Sequence, residues 1–147
     1  MSTIGFDTSN YTTSTAWTDG KTDINVRQIL YVKDGERGIR QSDGVFQHMK
    51  LMPVMYEKLS EQIDFKDVKA VGVSTRPRCV EGSYMPVFLA GEGYAKVVAN
   101  TLGVPLYEFS HQDGHIMAGI YSSGSFELLE NDFISVHLSG GTTEILK

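Results

Sequence analysis

The sequence predicts an α/β fold: a mixed sheet with helices on its faces. Three observations carry this. The first 33 residues break into three short runs rich in β-branched residues, with no helical period. After them, helical and strand-like segments alternate, giving the order β-β-β-α-β-α-β-α-β-β. Val68 to Ser74 is apolar without strict alternation, the pattern of a central strand covered on both faces.

Each element has its own signal. Thr3 to Asp7 is a short strand ending on an acid, and Thr12 to Thr18 is the second. Asp19-Gly20 marks the turn into a third strand, Asn25 to Val32. Val45, Met49, Met52, Tyr56, Leu59 and Ile63 step by three and four, so they predict an amphipathic helix. Ser42 and Asp43 are its candidate caps, and Pro53 inside it predicts a kink or a late start. After the strand at Val68 comes a loop, Thr75 to Tyr84. A second helix runs from about Pro86 to Leu102, with proline in its first turn and Gly103 ending it. Gly91 and Ala95 on its face fit simple helix–sheet packing. Leu106 to Phe109 is a strand, and a third helix spans about His111 to Tyr121. Phe133 to Leu138 and Thr143 to Leu146 are two strands around Ser139-Gly140-Gly141-Thr142.

A length of 147 residues suits one domain of modest core. With 41% hydrophobic and 21% charged residues, the composition is that of a globular protein. No apolar run approaches the roughly 18 residues of a membrane-spanning helix, and the N-terminus lacks the basic region of a secretory signal. The single cysteine, Cys79, excludes an internal disulfide framework. The expected setting is the cytoplasm. A net charge of −5 argues against a wide nucleic-acid footprint on this chain, though Arg37, Arg40, Arg76 and Arg78 allow a local basic patch.

Chemistry concentrates in Ser110-His111-Gln112-Asp113-Gly114-His115. Four residues along a helix advance about 400°, so His111 and His115 project from one face. Two neutral imidazoles at that spacing can hold one transition-metal ion, zinc or iron. The alternative is a pair of partly exposed helix histidines. Two histidines do not close a structural zinc site, and a helix N-terminus disfavours a cation. The metal therefore needs an added anionic ligand. A metalloprotease helix carries glutamate after its first histidine as general base; here that position is Gln112, which takes no proton.

Ser139-Gly140-Gly141-Thr142-Thr143 lies between two strands. Paired glycines let backbone N–H groups cradle an anion; the alternative is a two-glycine hairpin turn. Asp7-Thr8-Ser9-Asn10 leaves the first strand with an acid and three short polar side chains. Such a tip can orient a phosphate or a hydrated magnesium, or simply turn the chain. Arg76 and Arg78 either clamp a phosphate or are solvated charges.

Taken in order, Ile4-Gly5-Phe6-Asp7-Thr8-Ser9, the HxxGH run at His111 to His115, and Leu138-Ser139-Gly140-Gly141-Thr142-Thr143 resemble the glycoprotease-like family. Its members were named O-sialoglycoprotein endopeptidases. The best understood of them transfer threonylcarbamoyl from threonylcarbamoyl-AMP to the adenosine beside the tRNA anticodon. The resemblance implies an actin-like ATPase (ASKHA, RNase H-like) lobe, in a family whose chains are about twice this length. It implies His111 and His115 as metal ligands. It implies Asp7, Ser9, Ser139, Gly140, Gly141 and Thr142 near nucleotide phosphates, of ATP or a threonylcarbamoyl-AMP-like compound. The family's further aspartate ligand belongs to a second half. Its GPGxxGS loop is replaced by Arg76-Pro77-Arg78-Cys79-Val80-Glu81-Gly82-Ser83, and its histidine after Ser-Gly-Gly is Thr142 here.

These departures give two expectations. One is a truncated or half-length metal- and nucleotide-binding relative of the transferase, inactive alone. The other is a non-catalytic paralogue that pairs with a related lobe through helix faces. A metallo-endopeptidase is the weaker third. Residues 1–131 are expected to form the first lobe, and 132–147 the opening hairpin of a second. Unpartnered edge strands predict self-association. Contact with tRNA is expected only indirectly or through other subunits, with no membrane association.

Overall fold

The computed structural model describes residues 1–139 and 142–146, with the side chains of Ser139 and Thr142 outside that description. The chain divides into two compact units, Met1–His111 and Gln112–Lys147.

The first unit is a five-stranded sheet. Its strands are β1 (Ser2–Ser9), β2 (Thr12–Thr18), β3 (Asp23–Ile29), β4 (Val68–Arg76) and β5 (Leu106–Ser110), in the order β3-β2-β1-β4-β5. β1, β2 and β3 form an antiparallel meander, while β4 pairs parallel to both β1 and β5. The mixed sheet and the element order agree with the sequence reading. The third strand sits earlier than expected, because it must end where Leu30 turns in to donate its N–H to the Tyr11 carbonyl.

Two α-helices, α1 (Gln41–Ser60) and α2 (Phe88–Leu102), and a short 3-10 turn (Phe65–Asp67) join the sheet in this unit. Ser2, Ile4, Phe6 and Thr8 of β1 are buried and the residues between them are not fully so, the period of two of a strand. Ile4, Phe6, Val71 and Val73 meet Met52 and Leu59 of α1 and Ala95 and Ala99 of α2 in one core. Each large side chain buried there contributes about 1.5–3 kcal/mol. Phe6 stacks on Tyr56 with ring centroids 5.8 Å apart.

α1 departs from its sequence reading in three ways. It starts well ahead of Pro53, not at it, and runs through the proline. Its cap is Arg40, with no side-chain capping bond, and Ser42 and Asp43 lie inside the first turn. Its buried stripe is Gly44, His48, Met52, Met55 and Leu59: Met52 and Leu59 are as read, while Gly44, His48 and Met55 stand one residue before Val45, Met49 and Tyr56; Met49 is half exposed. Pro53 offers no N–H to the Met49 carbonyl, a loss that ordinarily breaks helices. Here Tyr94 of α2 supplies the missing donor: its hydroxyl donates to the Met49 carbonyl at 3.0 Å.

α2 begins at Phe88, two residues later than read, and ends on Gly103 at φ +67°, the left-handed cap that glycine permits. Gly91 does more than pack. Its N–H donates to the Thr8 hydroxyl at 3.0 Å, and that hydroxyl donates to the Val87 carbonyl at 2.9 Å. The hydroxyl is wedged between two backbone groups four residues apart in the first turn. A side chain at Gly91 would put its Cβ 2.8 Å from Thr8 Oγ1.

The second unit contains α3 (His111–Ser123), which begins at the boundary, a 3-10 turn (Phe126–Glu130), and an antiparallel hairpin of β6 (Ser135–Ser139) and β7 (Thr142–Leu146). Gly140 and Gly141 lie outside the described residues.

Candidate functional site

Because β1, β4 and β5 are parallel, their carboxyl ends at Ser9, Arg76 and Ser110 share one edge of the sheet. That edge is where open α/β sheets hold ligands. Asp7 stands there on β1, and His111 follows directly on β5. Asp7 Oδ2 lies 2.8 Å from His111 Nδ1, while Asp7 Oδ1 accepts the Ser9 N–H at 2.8 Å. The Ser74 hydroxyl of β4 also hydrogen-bonds the carboxylate. Burial pushes the Asp7 pKa up; the His111 hydrogen bond and charge, then Ser74 and Ser9, outweigh it and hold the group below its usual 3.8. The carboxylate is therefore charged at neutral pH and aims the imidazole. With Nδ1 committed to Asp7, Nε2 is the nitrogen through which His111 would ligate a metal. A carboxylate behind a histidine is the usual support of a ligating imidazole.

The β1 tip is anchored from beneath. Gln41 of α1 donates from Nε2 to Asn10 Oδ1 at 2.8 Å, and accepts the Val87 N–H at 3.4 Å. His48, fully buried on α1, has Nδ1 2.7 Å from Thr13 Oγ1. Sequence reasoning assigned no role to His48, Gln41 or Ser74. The signal for His48 was present: it stands four residues before Met52, in step with buried apolar positions.

The loop after β4 is held by local contacts. Arg76 Nη1 donates to Thr75 Oγ1 at 3.3 Å, Arg76 Nη2 lies 3.8 Å from Cys79 Sγ, and the Arg78 N–H donates to Ser83 Oγ at 2.9 Å.

In the second unit α3 meets the hairpin through polar side chains. Gln112 Nε2 donates to Glu144 Oε2 at 2.6 Å. The His115 and His137 rings lie 5.2 Å apart, and His137 Nδ1 is 3.9 Å from Glu144 Oε2. His137 and Glu144 face each other across the hairpin register. Gln112 is thus a buried partner of a carboxylate, a different task from that of a general base.

Of the site residues read from the sequence, Asp7, Ser9 and His111 come together within the first unit. His115 follows on α3, four residues after His111. Ser139 ends β6 and Thr142 begins β7, and the two are backbone partners. Among the described residues, no three histidine, cysteine or acidic side chains are grouped to hold a metal ion.

The architecture defines a lobe of the actin-like, RNase H-like class. Two solved structures share it. YeaZ from Pseudomonas aeruginosa superposes with TM-score 0.53 at 16% identity, over 75% of this chain and 43% of that one. A protein described as similar to peptidase YEAZ from Pseudomonas aeruginosa superposes with TM-score 0.57 at 12% identity, over 99% and 63%. Within that class, residues 35–147 match the model of the TsaD family, tRNA N6-adenosine threonylcarbamoyltransferase, and the chain belongs to this family. The tRNA N6-adenosine threonylcarbamoyltransferase of Christiangramia forsetii is 33% identical over 98 residues, 66% of this chain and 27% of its own. That of Pyrobaculum calidifontis is 28% identical over 144 residues, 97% of this chain and 40% of its own. The chain therefore spans between 27% and 40% of the length of these relatives.

Proposed function

We propose that the chain is a metal- and nucleotide-binding relative of the threonylcarbamoyl transferases, corresponding to their first lobe and the opening hairpin of a second (132–147). The Asp7–His111 contact carries this reading, because it orients an imidazole at the ligand edge of the sheet. His111 and His115 would hold zinc or iron, with an anionic group completing the coordination. When bound, such a metal supplies Lewis-acid polarisation of an acyl oxygen. Asp7 and Ser9, with Ser139, Gly140, Gly141 and Thr142, would meet the phosphates of ATP or a threonylcarbamoyl-AMP-like nucleotide. The chain's own contribution is binding and orientation, and transfer to tRNA needs further subunits. A cytoplasmic setting belongs to this proposal.

A second reading, a non-catalytic lobe that pairs with a related one or with itself, has its own support. Phe46 on α1 and Leu89 and Val97 on α2 stand more than half exposed, on helices that already contact each other. Apolar side chains left outside a core favour a protein partner. A peptidase reading is the weakest, since Gln112 stands where the base would be and is bound to Glu144.

Metal analysis of the purified chain, combined with ATP titration and light scattering, separates the readings. The transferase-like reading expects zinc or iron and saturable ATP binding at millimolar concentration or below. A chain that takes up neither metal nor ATP and elutes as a dimer overturns it in favour of the pairing module.

A further inference from the structure

His48 is the one fully buried histidine among the described residues, and neither metal nor nucleotide reading uses it. It sits on the inner face of α1, between that helix and the meander. Its Nδ1 is 2.7 Å from Thr13 Oγ1. Thr13 is itself fully buried and pairs with Thr8 across β1 and β2. The other nitrogen, Nε2, is buried without a well-formed hydrogen bond, and the Ser9 backbone lies beside the ring. A threonine hydroxyl donating to Nδ1 puts the ring proton on Nε2, facing Ser9. Ser9 in turn gives its N–H to Asp7 Oδ1, and Asp7 Oδ2 meets His111. The polar groups thus run in sequence from the floor of the helix–sheet interface to the first residue of α3: Thr13, His48, Ser9, Asp7, His111.

We propose that His48 is a positioning residue for the candidate site: it fixes the peptide at Ser9, and through it the angle at which Asp7 presents its carboxylate to His111. A buried imidazole suits this task. Its ring is rigid, the Thr13 bond fixes it at Nδ1, and Nε2 is thereby held against the Ser9 backbone, where it limits movement of the strand tip. An apolar side chain of similar size would fill the space and hold α1, but would leave the Ser9 peptide unguided.

The role depends on Asp7–His111 being the working end of the site. Its test uses protein without metal or nucleotide, so failure of the binding readings leaves it intact. The probe is the two-bond nitrogen–proton spectrum of the His111 imidazole, which reports whether Nδ1 is bonded to a carboxylate. Asp7→Asn supplies the reference for a lost carboxylate partner. In His48→Leu the His111 signals are expected to move most of the way to that reference. In His48→Gln, whose amide can accept from Thr13 and donate toward Ser9, they are expected to stay near wild type. Should His48→Leu fail to fold by circular dichroism, Thr13→Val, which exchanges the hydroxyl for a methyl group of similar size, takes its place with the same expected shift. A folded His48→Leu or Thr13→Val with His111 signals unchanged, or Leu and Gln variants that move them equally, overturns the proposal and leaves His48 as core packing.

Discussion

Asp7 Oδ2 and His111 Nδ1 stand 2.8 Å apart although 104 residues separate them in the chain. Two parallel pairings, β1 with β4 and β4 with β5, bring the strand end that carries the acid toward the one that feeds the histidine. Both side chains remain partly exposed, 24% and 30%, so the pair faces an accessible edge.

The tie between Tyr94 and Met49 makes a testable compensation for Pro53. Tyr94→Phe removes the donor from the Met49 carbonyl and is expected to cost about 1 kcal/mol in urea unfolding. Pro53→Ala restores a helical N–H to that carbonyl, so the same change made in its background should cost far less. A double-mutant cycle reads the coupling directly. Equal costs in both backgrounds would show that the tyrosine does not stand in for the missing N–H.

Two glycines of α2 should respond oppositely to alanine. At Gly91 the new Cβ lies 2.8 Å from Thr8 Oγ1, and both partners are held by hydrogen bonds, so a loss of about 1–3 kcal/mol is expected. At Gly93 a Cβ meets nothing within 4 Å, so alanine is expected to stabilise by up to about 1 kcal/mol through helix propensity. Thermal melts of the two variants check the contrast; a neutral Gly91→Ala would mean that the first turn of α2 shifts without cost.

Acid should weaken the first unit through His48. Burial lowers its pKa below the usual 6.5, against the opposing pull of the Ser9 backbone and the Asp7 charge. The folded-state value lies below the unfolded one, so the unfolded chain takes the proton first. The stability this group contributes is complete above about pH 6.5 and drains as pH falls from there toward the folded-state value. Asp7, lowered from 3.8, acts in a separate and more acidic window. Urea midpoints across about pH 5 to 8 should therefore fall on acidification in the wild type and fall less in His48→Gln. Parallel profiles would exclude His48 as the source.

Local signals in the sequence were faithful to the fold. Asp19-Gly20, Gly103 and the alternation of apolar runs placed the strands and the end of α2, because these features act within a few residues. On α1, Met52 and Leu59 were read as buried, while the other three buried positions lie one residue earlier than read. Hydropathy selects Met49, but the surface that touches the sheet and α2 carries Gly44, whose added Cβ would lie 2.8 Å from Val87, and His48, which needs Thr13. Such positions are chosen by a distant partner and have no apolar signature. The candidate site divides in the same way. The spacing of His111 and His115 is visible in a linear string, as is the acid ending the first strand. That Asp7 meets His111, with Ser74 and Ser9 around it, follows from strand order and parallel register, which no short window contains.

Zinc titration of the wild-type chain beside Asp7→Asn and His111→Ala tests the central claim most directly. The expected result is binding by the wild type, a 10–100-fold weaker affinity (about that range) when the carboxylate behind the ligand is removed, and loss of the site without the imidazole. A wild-type chain that binds neither zinc nor, in a parallel titration, iron, or a His111→Ala variant that binds the metal as tightly as wild type, would contradict the account.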